Sequence, residues 1–470
     1  MLNQQLFSAF SKYHDKPAFI GHHGHALSFA NLNDIADRLA GQLYAFGIRP
    51  NSRVHIDIQD AELKIAMWLA VWRLGADLLA GNALDVYAKF KLAPDLSITD
   101  QDNPPDTAIK FDEAWLTKKH AYKAQTEPGT IYFTTNATSR DAHIVGVDAQ
   151  CFWTDIENYR NLLGPAKGTF FFYSSLDSFR TFRDVVRAFL EGQAVIGPHA
   201  SNSVCWKSIY EQDVAEVFVA PLMLRHLLDA YKNNPQNHKI KRIFVASGTA
   251  QVALLEEASA CLKAEIGLAS GVMECSLFSY LVYNPETYRM GQIGQMQNGI
   301  EARILDGDGQ ISDIDCTGSL QLRVPIQNRF QAYVNADSAW DADGWFGTGF
   351  RAAIDVDGCI TKQGREDDRI NLGGLRLFSA QVEEVVLQIP EIQHVAAIRV
   401  FADNGAETLG LAIELNSPLS PSAIATIVKK GLPSASGVQV ALVEKIPVNA
   451  AGIPDRKLIQ NRWADIFEAK

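Results

Sequence analysis

Short apolar runs alternate with helical patterns along most of the 470-residue chain, and this alternation constrains the fold more than any other feature. Val54–Ile58 alternates in polarity as a half-buried strand does. Similar runs, each followed by helical periodicity, are Thr169–Tyr173, Val217–Ala220 and Ile243–Ala246. Ser28 is a suitable N-cap for an early amphipathic helix. The alternation predicts an α/β protein with largely parallel sheets.

The pattern changes twice toward the C-terminus. Over about residues 293–350 it turns to short strands separated by Gly and Asp turns, which predicts a β-rich subdomain. The charged run Arg365–Arg369 is then followed by a new α/β unit. Because a chain of this length is too long for a single ordinary domain, we predict an N-terminal domain of residues 1–364 and a C-terminal lid domain of residues 365–470.

Composition excludes several classes of protein. The net charge of −11 argues against a nucleic-acid partner, since phosphate contacts need a basic surface. The longest apolar stretch, Ile65–Trp72, is too short to span a bilayer, and polar residues interrupt any signal-peptide core at the N-terminus. The six cysteines form no C-x-x-C pair. This spacing favours free thiols in a reducing compartment. We therefore expect a soluble cytoplasmic protein without a membrane partner.

The stretch Thr134–Val145 has the layout of a phosphate-binding loop. It follows an apolar, strand-like run at Gly129–Phe133 and is rich in small hydroxyl residues. A working loop of this kind needs glycines, whose backbone N–H groups close around phosphate, and a lysine to meet the charge. This stretch contains neither. From its residues alone it is either an altered phosphate loop or an unrelated one.

The order of several motifs resolves this alternative. The run LSFANLNDIADRLAGQLYAFGIRPNSRVHI is followed by RIFVASGTA, SGVMEC, GQIGQMQNGIEARILDGDG, DGWFGTGF, GREDDRINLGGLRLFSAQVEEVV and KIPVNAAGIPDRKLI. In this order they resemble the adenylate-forming superfamily, which contains acyl-CoA synthetases, aryl-CoA ligases and peptide-synthetase adenylation domains. The resemblance implies a large N-terminal domain of layered sheets and helices and a small mobile C-terminal α/β domain. Thr134–Val145 then corresponds to the family's phosphate loop in altered form.

The resemblance also assigns roles to residues. It places Glu274 at the Mg²⁺-binding position, Arg365 at the ribose and Asp367 at the hinge of the lid. The positions that it assigns to nucleotide binding are Thr134, Thr135, Thr138, Ser247, Gly248, Ser270 and Gly271. The positions that it assigns to the loop beside the thiol tunnel are Gly373 and Gly374. Two of these assignments have structural alternatives. Arg365 and Asp367 also suit a solvated linker, and Glu274 also suits a structural salt bridge.

Several positions depart from the family pattern. Ala142 stands where the family has the phosphate-loop lysine, and Met273 where it has a threonine that contacts the α-phosphate. Phe350 replaces the aspartate that holds the ribose hydroxyls, and Ile453 replaces the lysine that bridges carboxylate and phosphate. Each lost charge-assisted hydrogen bond is worth about 1.5–3 kcal/mol, and loss of one preorganised charge commonly lowers a rate about 10²–10³-fold.

Two hypotheses for the function follow. In the first, the protein is a ligase that converts an acyl or aryl acid to an acyl-AMP with ATP and Mg²⁺. It then transfers the acyl group to coenzyme A or to the phosphopantetheine of an acyl carrier protein. The acid pocket would be formed around Phe170–Tyr173, Gly248–Thr249 and Ser270–Met273. In the second, the protein is a pseudoenzyme that binds an acyl group, a carrier protein or a partner enzyme. The substituted positions favour the second, and the retained hinge and tunnel segments favour the first.

Overall fold

The helices and strands alternate along the chain, as the sequence predicts. The computed structural model describes residues 2–81, 84–135, 143–165, 168–297, 299–330, 339–372, 375–401, 405, 407–433, 437–449 and 452–468. The helices within these ranges are α1 (Leu2–Lys12), α2 (Phe29–Ala45), α3 (Ala61–Arg73), α4 (Leu84–Lys89), α5 (Ala149–Leu163), α6 (Phe179–Leu190), α7 (Asn202–Glu211), α8 (Pro221–Asn233), α9 (Val252–Leu262), α10 (Ser379–Val386), α11 (Pro421–Gly431), α12 (Arg456–Asn461) and α13 (Trp463–Glu468).

The strands form five sheets. Those within the described ranges are β1 (Pro17–Ile20), β2 (Ala26–Ser28), β3 (Arg53–Asp57), β4 (Asp77–Leu79), β5 (Leu96–Thr99), β6 (Ile109–Lys110), β7 (Ile131–Thr134), β8 (Ile144–Val147), β9 (Thr169–Phe172), β10 (Val195–Ile196), β11 (Val214–Val219), β12 (Arg242–Ala246), β13 (Glu265–Val272), β14 (Ser276–Val282), β15 (Gln292–Gly294), β16 (Glu301–Leu305), β17 (Gly318–Arg323), β18 (Trp345–Ile354), β19 (Ile360–Arg365), β20 (Arg369–Leu372), β21 (Leu375–Phe378), β22 (Ile392–Phe401), β23 (Glu407–Leu415) and β24 (Val438–Leu442).

Two large sheets are parallel in their interior. The first has the order β14-β13-β12-β11-β9-β10-β1-β2, and its six inner strands run parallel while β14 and β2 close the edges antiparallel. The second has the order β6-β5-β3-β4-β7-β8, with only β8 antiparallel among these strands. Strands buried on both faces are typical of parallel sheets covered by helices. The predicted α/β class with largely parallel sheets is confirmed.

Local sequence signals explain several boundaries. The Ser28 hydroxyl accepts a hydrogen bond from the Asn31 N–H and so caps α2, as predicted. Asp60 and Asp148 cap α3 and α5 in the same way. The residues of α3 are buried almost all round because this helix lies in the core between the two large sheets. No helix in the described ranges is both long and apolar enough to cross a bilayer.

The remaining sheets lie C-terminal to the large ones. Strands β15-β19-β18-β17-β16 form an antiparallel sheet that begins at Gln292 and ends at Arg365. After it, β20 and β21 form a hairpin, and β22-β23-β24 form a sheet with its own hydrophobic core. The predicted division between residues 364 and 365 falls at the end of β19 and stays a prediction. We call the part of the chain from residue 365 onward the lid.

A buried ion network fixes α6 against the first sheet. Glu216 of β11 is fully buried and accepts hydrogen bonds from Arg187 at 3.0 Å, Gln193 at 3.0 Å and Arg242 at 3.3 Å. Buried charges are tolerated only when they are paired and hydrogen-bonded. The network therefore sets the position of α6, which carries Arg187, relative to two neighbouring strands.

We predict that Glu216→Gln lowers the free energy of unfolding by about 3 kcal/mol, because two buried guanidinium groups lose a shared counter-charge. The loss falls at the low end of the usual range, since Glu191 and Glu265 still lie near these arginines. Urea denaturation followed by tryptophan fluorescence measures it. The control, Asp34→Asn, breaks a partly exposed pair with Arg38 and should cost less than about 1 kcal/mol. Equal losses in the two variants would contradict the structural importance of the network.

Candidate active site

A cavity of about 470 Å³ lies between the first large sheet, the antiparallel sheet and the lid. This volume is within the usual range for small-molecule sites. Segments that follow the carboxyl end of β12 form one wall, and the turn after β13 continues it. In α/β sheets ligands commonly bind outside the carboxyl ends of parallel strands. The position of the cavity is therefore the one that the fold favours for a ligand.

Five of the residues predicted to bind nucleotide line this cavity together, four of them beside β12 and β13 and the fifth, Thr135, after β7. Ser247 and Gly248 follow β12, and Ser270 and Gly271 lie near the end of β13. Ser247 has a φ of 63°, a left-handed conformation that few residues other than glycine adopt. A Cβ at Gly271 would lie 2.5 Å from the Ser276 carbonyl oxygen, so only glycine fits there. The backbone is thus left-handed at Ser247 and closely approached by a neighbouring carbonyl at Gly271.

The predicted phosphate loop joins β7 to β8. Thr134 is the last residue of β7, and Thr135 lines the cavity together with His143. The Thr135 N–H donates to the His143 carbonyl at 2.8 Å, and the His143 N–H donates to the Thr135 hydroxyl at 3.0 Å. These bonds close the base of the loop. Thr138 and Ala142 lie outside the described residues, as do Gly373 and Gly374 of the predicted thiol-tunnel loop.

Glu274 lies in the turn between β13 and β14. It lines the cavity but is only 6% exposed, and its carbonyl oxygen accepts a hydrogen bond from the Phe330 N–H at 3.0 Å. Met273, beside it, presents a thioether to the cavity where a threonine is expected. The predicted metal-binding carboxylate is therefore in the cavity wall, next to an apolar neighbour.

Phe350 and Arg365 face each other on neighbouring strands. They are register partners in β18 and β19, and the Arg365 guanidinium lies 5.2 Å from the Phe350 ring centre. Arg365 also donates to the Asp367 carboxylate at 3.0 Å. Gly349 has a φ of 71°, and a Cβ there would lie 3.3 Å from the Arg365 guanidinium. The cation predicted to contact ribose thus lies in the cavity wall beside an aromatic ring.

The lid brings Ile453 to the same cavity. Ile453 belongs to a tight turn in which its N–H donates to the Asn449 side chain at 3.2 Å. Gly452 of this turn has a φ of 75°, and a Cβ there would lie 3.4 Å from both Ala220 and Met223 at the start of α8. The turn therefore packs directly on the large domain. In this orientation of the lid, the position where a lysine is expected holds an apolar side chain.

Two cations in the cavity wall were not found from the sequence. Arg180, on α6, has a buried Nη1 that makes no hydrogen bond to the described residues. Lys362, on β19, lies with its Nζ 4.5 Å from the Phe350 ring centre. Burial, with the nearby charges of Arg365 and Arg180, lowers the pKa of Lys362 to about 8. The helical spacing of Arg180, Arg183 and Arg187 in α6 was the signal in the sequence that could have identified Arg180.

One part of the predicted acid pocket is wrong. Gly248–Thr249 and Ser270–Met273 line the cavity, but Phe170–Tyr173 does not contribute to its lining. Phe170, Phe171 and Phe172 are fully buried in β9, an inner strand with neighbours on both sides. Their aromatic side chains fill the core on the two faces of the sheet. A run of aromatic residues fits a core strand as well as a pocket, so the sequence alone did not separate the two.

Comparisons with known proteins agree with this geometry. Residues 6–83 match the family model described as AMP-binding enzyme. The chain is 22% identical over 456 residues to the 2-succinylbenzoate–CoA ligase of Listeria monocytogenes, covering 93% of this chain and 94% of the ligase. It is 24% identical over 295 residues to the pyochelin synthase PchD of Pseudomonas aeruginosa. That match covers 59% of this chain, which spans about half (52%) of the length of PchD.

Solved structures extend the likeness to the whole chain. The o-succinylbenzoate CoA synthetase from Bacillus subtilis, in complex with its acyl-adenylate intermediate, superposes with a TM-score of 0.81 at 19% identity, covering 97% of each chain. The same enzyme in complex with ATP and magnesium ion gives 0.80 at 20% identity, covering 96% of this chain and 98% of the enzyme. The chain has the adenylate-forming fold. The fold that the motif order implies is thereby confirmed.

Within the adenylate-forming fold, the charge of Lys362 makes a testable difference. We predict that AMP binds about tenfold more weakly at pH 9.5 than at pH 7.5. The free protein loses the Lys362 proton as pH rises through about 8, whereas a bound phosphate favours the protonated form. The phosphate of AMP is already fully ionised over this range. Calorimetric titration at several pH values measures the affinity, and Lys362→Met should give a weaker but nearly pH-independent affinity. If the AMP affinity of the variant falls with pH as steeply as that of the wild type, the titrating group is not Lys362.

Proposed function

We propose that this protein joins a small carboxylic acid to a thiol in two steps at the cavity beneath the lid. In the first step a carboxylate oxygen attacks the α-phosphorus of ATP, which forms an acyl-AMP and releases pyrophosphate. In the second step a thiolate attacks the acyl carbon, which forms a thioester and releases AMP. The thiol belongs to coenzyme A or to the phosphopantetheine of a carrier protein. We expect the reaction in the cytoplasm, where six unpaired cysteines would stay reduced.

The observation that carries this proposal is the set of cations gathered in one cavity. Arg180 from α6, Lys362 from β19 and Arg365 at the start of the lid all line it. Among the described residues no carboxylate pairs with Lys362, and only Asp367 pairs with Arg365. Cations held in a partly desolvated cavity attract phosphates strongly, because water no longer screens the charge. The positive charge that the family places on its loop lysines is supplied here from other elements.

Glu274 supports the metal requirement. Mg²⁺ in proteins is commonly bound by one or two carboxylates together with substrate phosphates, and a single buried carboxylate in the cavity wall suits that arrangement. Bound there, Mg²⁺ would supply charge neutralisation on the phosphates. Glu274 would orient the phosphates through the metal, while Arg365 would hold the sugar-phosphate end of the nucleotide. These roles follow the family resemblance residue by residue.

We predict acid-dependent exchange of pyrophosphate into ATP by the wild-type protein. A panel of aromatic and aliphatic acids would be tested, because relatives act on 2-succinylbenzoate and other acids. Glu274→Gln should lower the exchange rate about 10²–10³-fold, since it removes one preorganised charge at the phosphates. Glu301→Gln, on the exposed β16, is the matched control and should leave the rate unchanged. No exchange with any acid, by a protein that still binds an acid tightly, would overturn the proposal.

A second candidate is binding of an acyl group or carrier without adenylation. Met273, Phe350 and Ile453 all line the cavity as apolar residues where polar or charged ones are expected. An apolar lining favours an acyl chain over a triphosphate. This protein would then bind a preformed acyl-AMP or acyl thioester tightly and ATP hardly at all. Calorimetric titration with ATP·Mg²⁺ and with a non-hydrolysable acyl-AMP separates the two candidates.

We predict that Ile453→Lys raises the rate of acyl-AMP formation about tenfold or more in a protein that activates acids. A cation on this turn of the lid would lie where carboxylate oxygen meets the α-phosphate, and so would lower that barrier. Consumption of a supplied acyl-AMP with coenzyme A should change little, because the second step uses the turned lid. Pyrophosphate release and thioester formation are measured separately. Ile453→Met is the size-matched control, and an equal gain in both variants would contradict the electrostatic explanation.

A further inference from the structure

Three buried side chains with metal-binding atoms meet where α8 touches the lid. They are His226 of α8, His394 of β22 and Glu414 of β23, which are 6%, 3% and 7% exposed. One ligand atom from each lies within 4.8 Å of the other two. The imidazole rings of His226 and His394 are packed edge to face with centres 4.6 Å apart. His394 also lines the cavity of about 470 Å³, but none of the three has a role in the proposed chemistry.

The cluster is incompletely hydrogen-bonded. Nε2 of His394 is buried and finds no hydrogen-bond partner among the described residues. The Oε2 atom of Glu414 is 3.8 Å away, which is too long for a hydrogen bond. The other oxygen of Glu414 already accepts the Ile446 N–H. A buried polar group without a partner usually costs about 1–3 kcal/mol, so this arrangement calls for a further ligand.

We propose that His226, His394 and Glu414 form a binding site for a divalent transition-metal ion, with Zn²⁺ the best fit. Two imidazoles and one carboxylate are a ligand set that Zn²⁺ uses, with a fourth position left for water or another ligand. Tetrahedral coordination with bonds near 2.1 Å requires ligand atoms about 3.4 Å apart, so the present atoms, which lie within 4.8 Å of one another, would move closer together on binding. Mg²⁺ prefers oxygen ligands, so this site and Glu274 would select different metals.

The surrounding charges are compatible with a cation. Burial is the main cause that lowers the pKa of His226 to about 4 and that of His394 to about 3, so both rings are neutral at pH 7. Arg225 also faces His394, but its charge is paired with Glu257. The positive charge of Lys445 faces His226 and Glu414. The negative charge of Asp229 also faces Glu414. Lys232 shares the Glu257 carboxylate with Arg225, so Glu414 is the carboxylate that offsets the positive charge of a bound ion at the site itself.

The position of the site gives it a consequence for the lid. His226 belongs to the large domain, whereas His394 and Glu414 belong to the lid. The same helix, α8, also contacts the lid through the Asp229–Gln393 hydrogen bond of 3.2 Å. An ion bound between them would hold the lid in the orientation that brings Ile453 to the cavity. This consequence rests on the proposed two-step function, but metal binding itself does not.

The test uses the full chain, freed of metal by dialysis against a chelator, without ATP or acid. We expect calorimetry to show one Zn²⁺ per chain, and Co²⁺ to give the intense visible bands of tetrahedral coordination. His226→Ala, His394→Ala and Glu414→Gln should each lower Zn²⁺ affinity at least about tenfold, the smallest loss found even for groups that only orient ligands. His238→Ala removes a partly buried histidine packed on Trp206 and Tyr231 and should bind as the wild type does.

Two further variants keep the test decisive. His226→Cys should retain Zn²⁺ binding because thiolate is also a zinc ligand, whereas His226→Gln keeps the size of the ring residue and should lose it. Zn²⁺ should raise the melting temperature of the wild type and not that of His226→Gln. Zinc should also slow tryptic cleavage at Arg365–Arg369 only in proteins that keep His226. Absence of stoichiometric binding by the wild type, or equal affinity in all variants, would overturn the site. Neither outcome depends on whether the protein activates acids.

Discussion

The ion pairs that bury the arginines of α6 set the geometry on which the cavity depends. Arg183 is 1% exposed and donates to Asp184 at 2.8 Å and to the Ser276 hydroxyl at 2.8 Å, and Ser276 donates in turn to Asp155 at 3.0 Å. These bonds tie α6 and α5 to the start of β14, directly after Glu274. Because breaking the bonds through Ser276 would leave buried polar groups unpaired, α6 is held in place against α5 and β14. Arg180, one turn before Arg183, is held at the cavity wall by this arrangement.

Most of the fold could be predicted because its signals are local. The N-cap at Ser28 and the alternating run at Val54–Ile58 each determine a structure within a few residues, and both elements are found where they were expected. The aromatic run at Phe170–Tyr173 shows where local reasoning ends. Its strand was identified correctly, but its burial depends on the strands at each side, which come from distant parts of the chain. Sheet order, rather than residue type, decided that these rings fill the core.

The residues of the site also divide into those that the sequence identified and those that it did not. Motif order placed Ser247, Gly271, Glu274, Arg365 and Ile453 in one cavity, although they are separated by up to about two hundred residues. It could not find Lys362 or Arg180, because neither belongs to a motif and each reaches the cavity only through packing. The cluster of His226, His394 and Glu414 was missed for the same reason. His226 and His394 are far apart in the sequence, and only the packing of the lid on α8 brings them together.

The charges of the cavity also bear on the residue at position 453. Arg180, Lys362 and Arg365 gather positive charge in the cavity wall, and burial together with this charge lowers the pKa of Lys362. Ile453 adds no charge to this wall, although a lysine is expected at its position. A lysine at this position would repel the same cations until the phosphates of a nucleotide offset them. An apolar residue on the turn avoids this repulsion, and the turn packs instead on the start of α8.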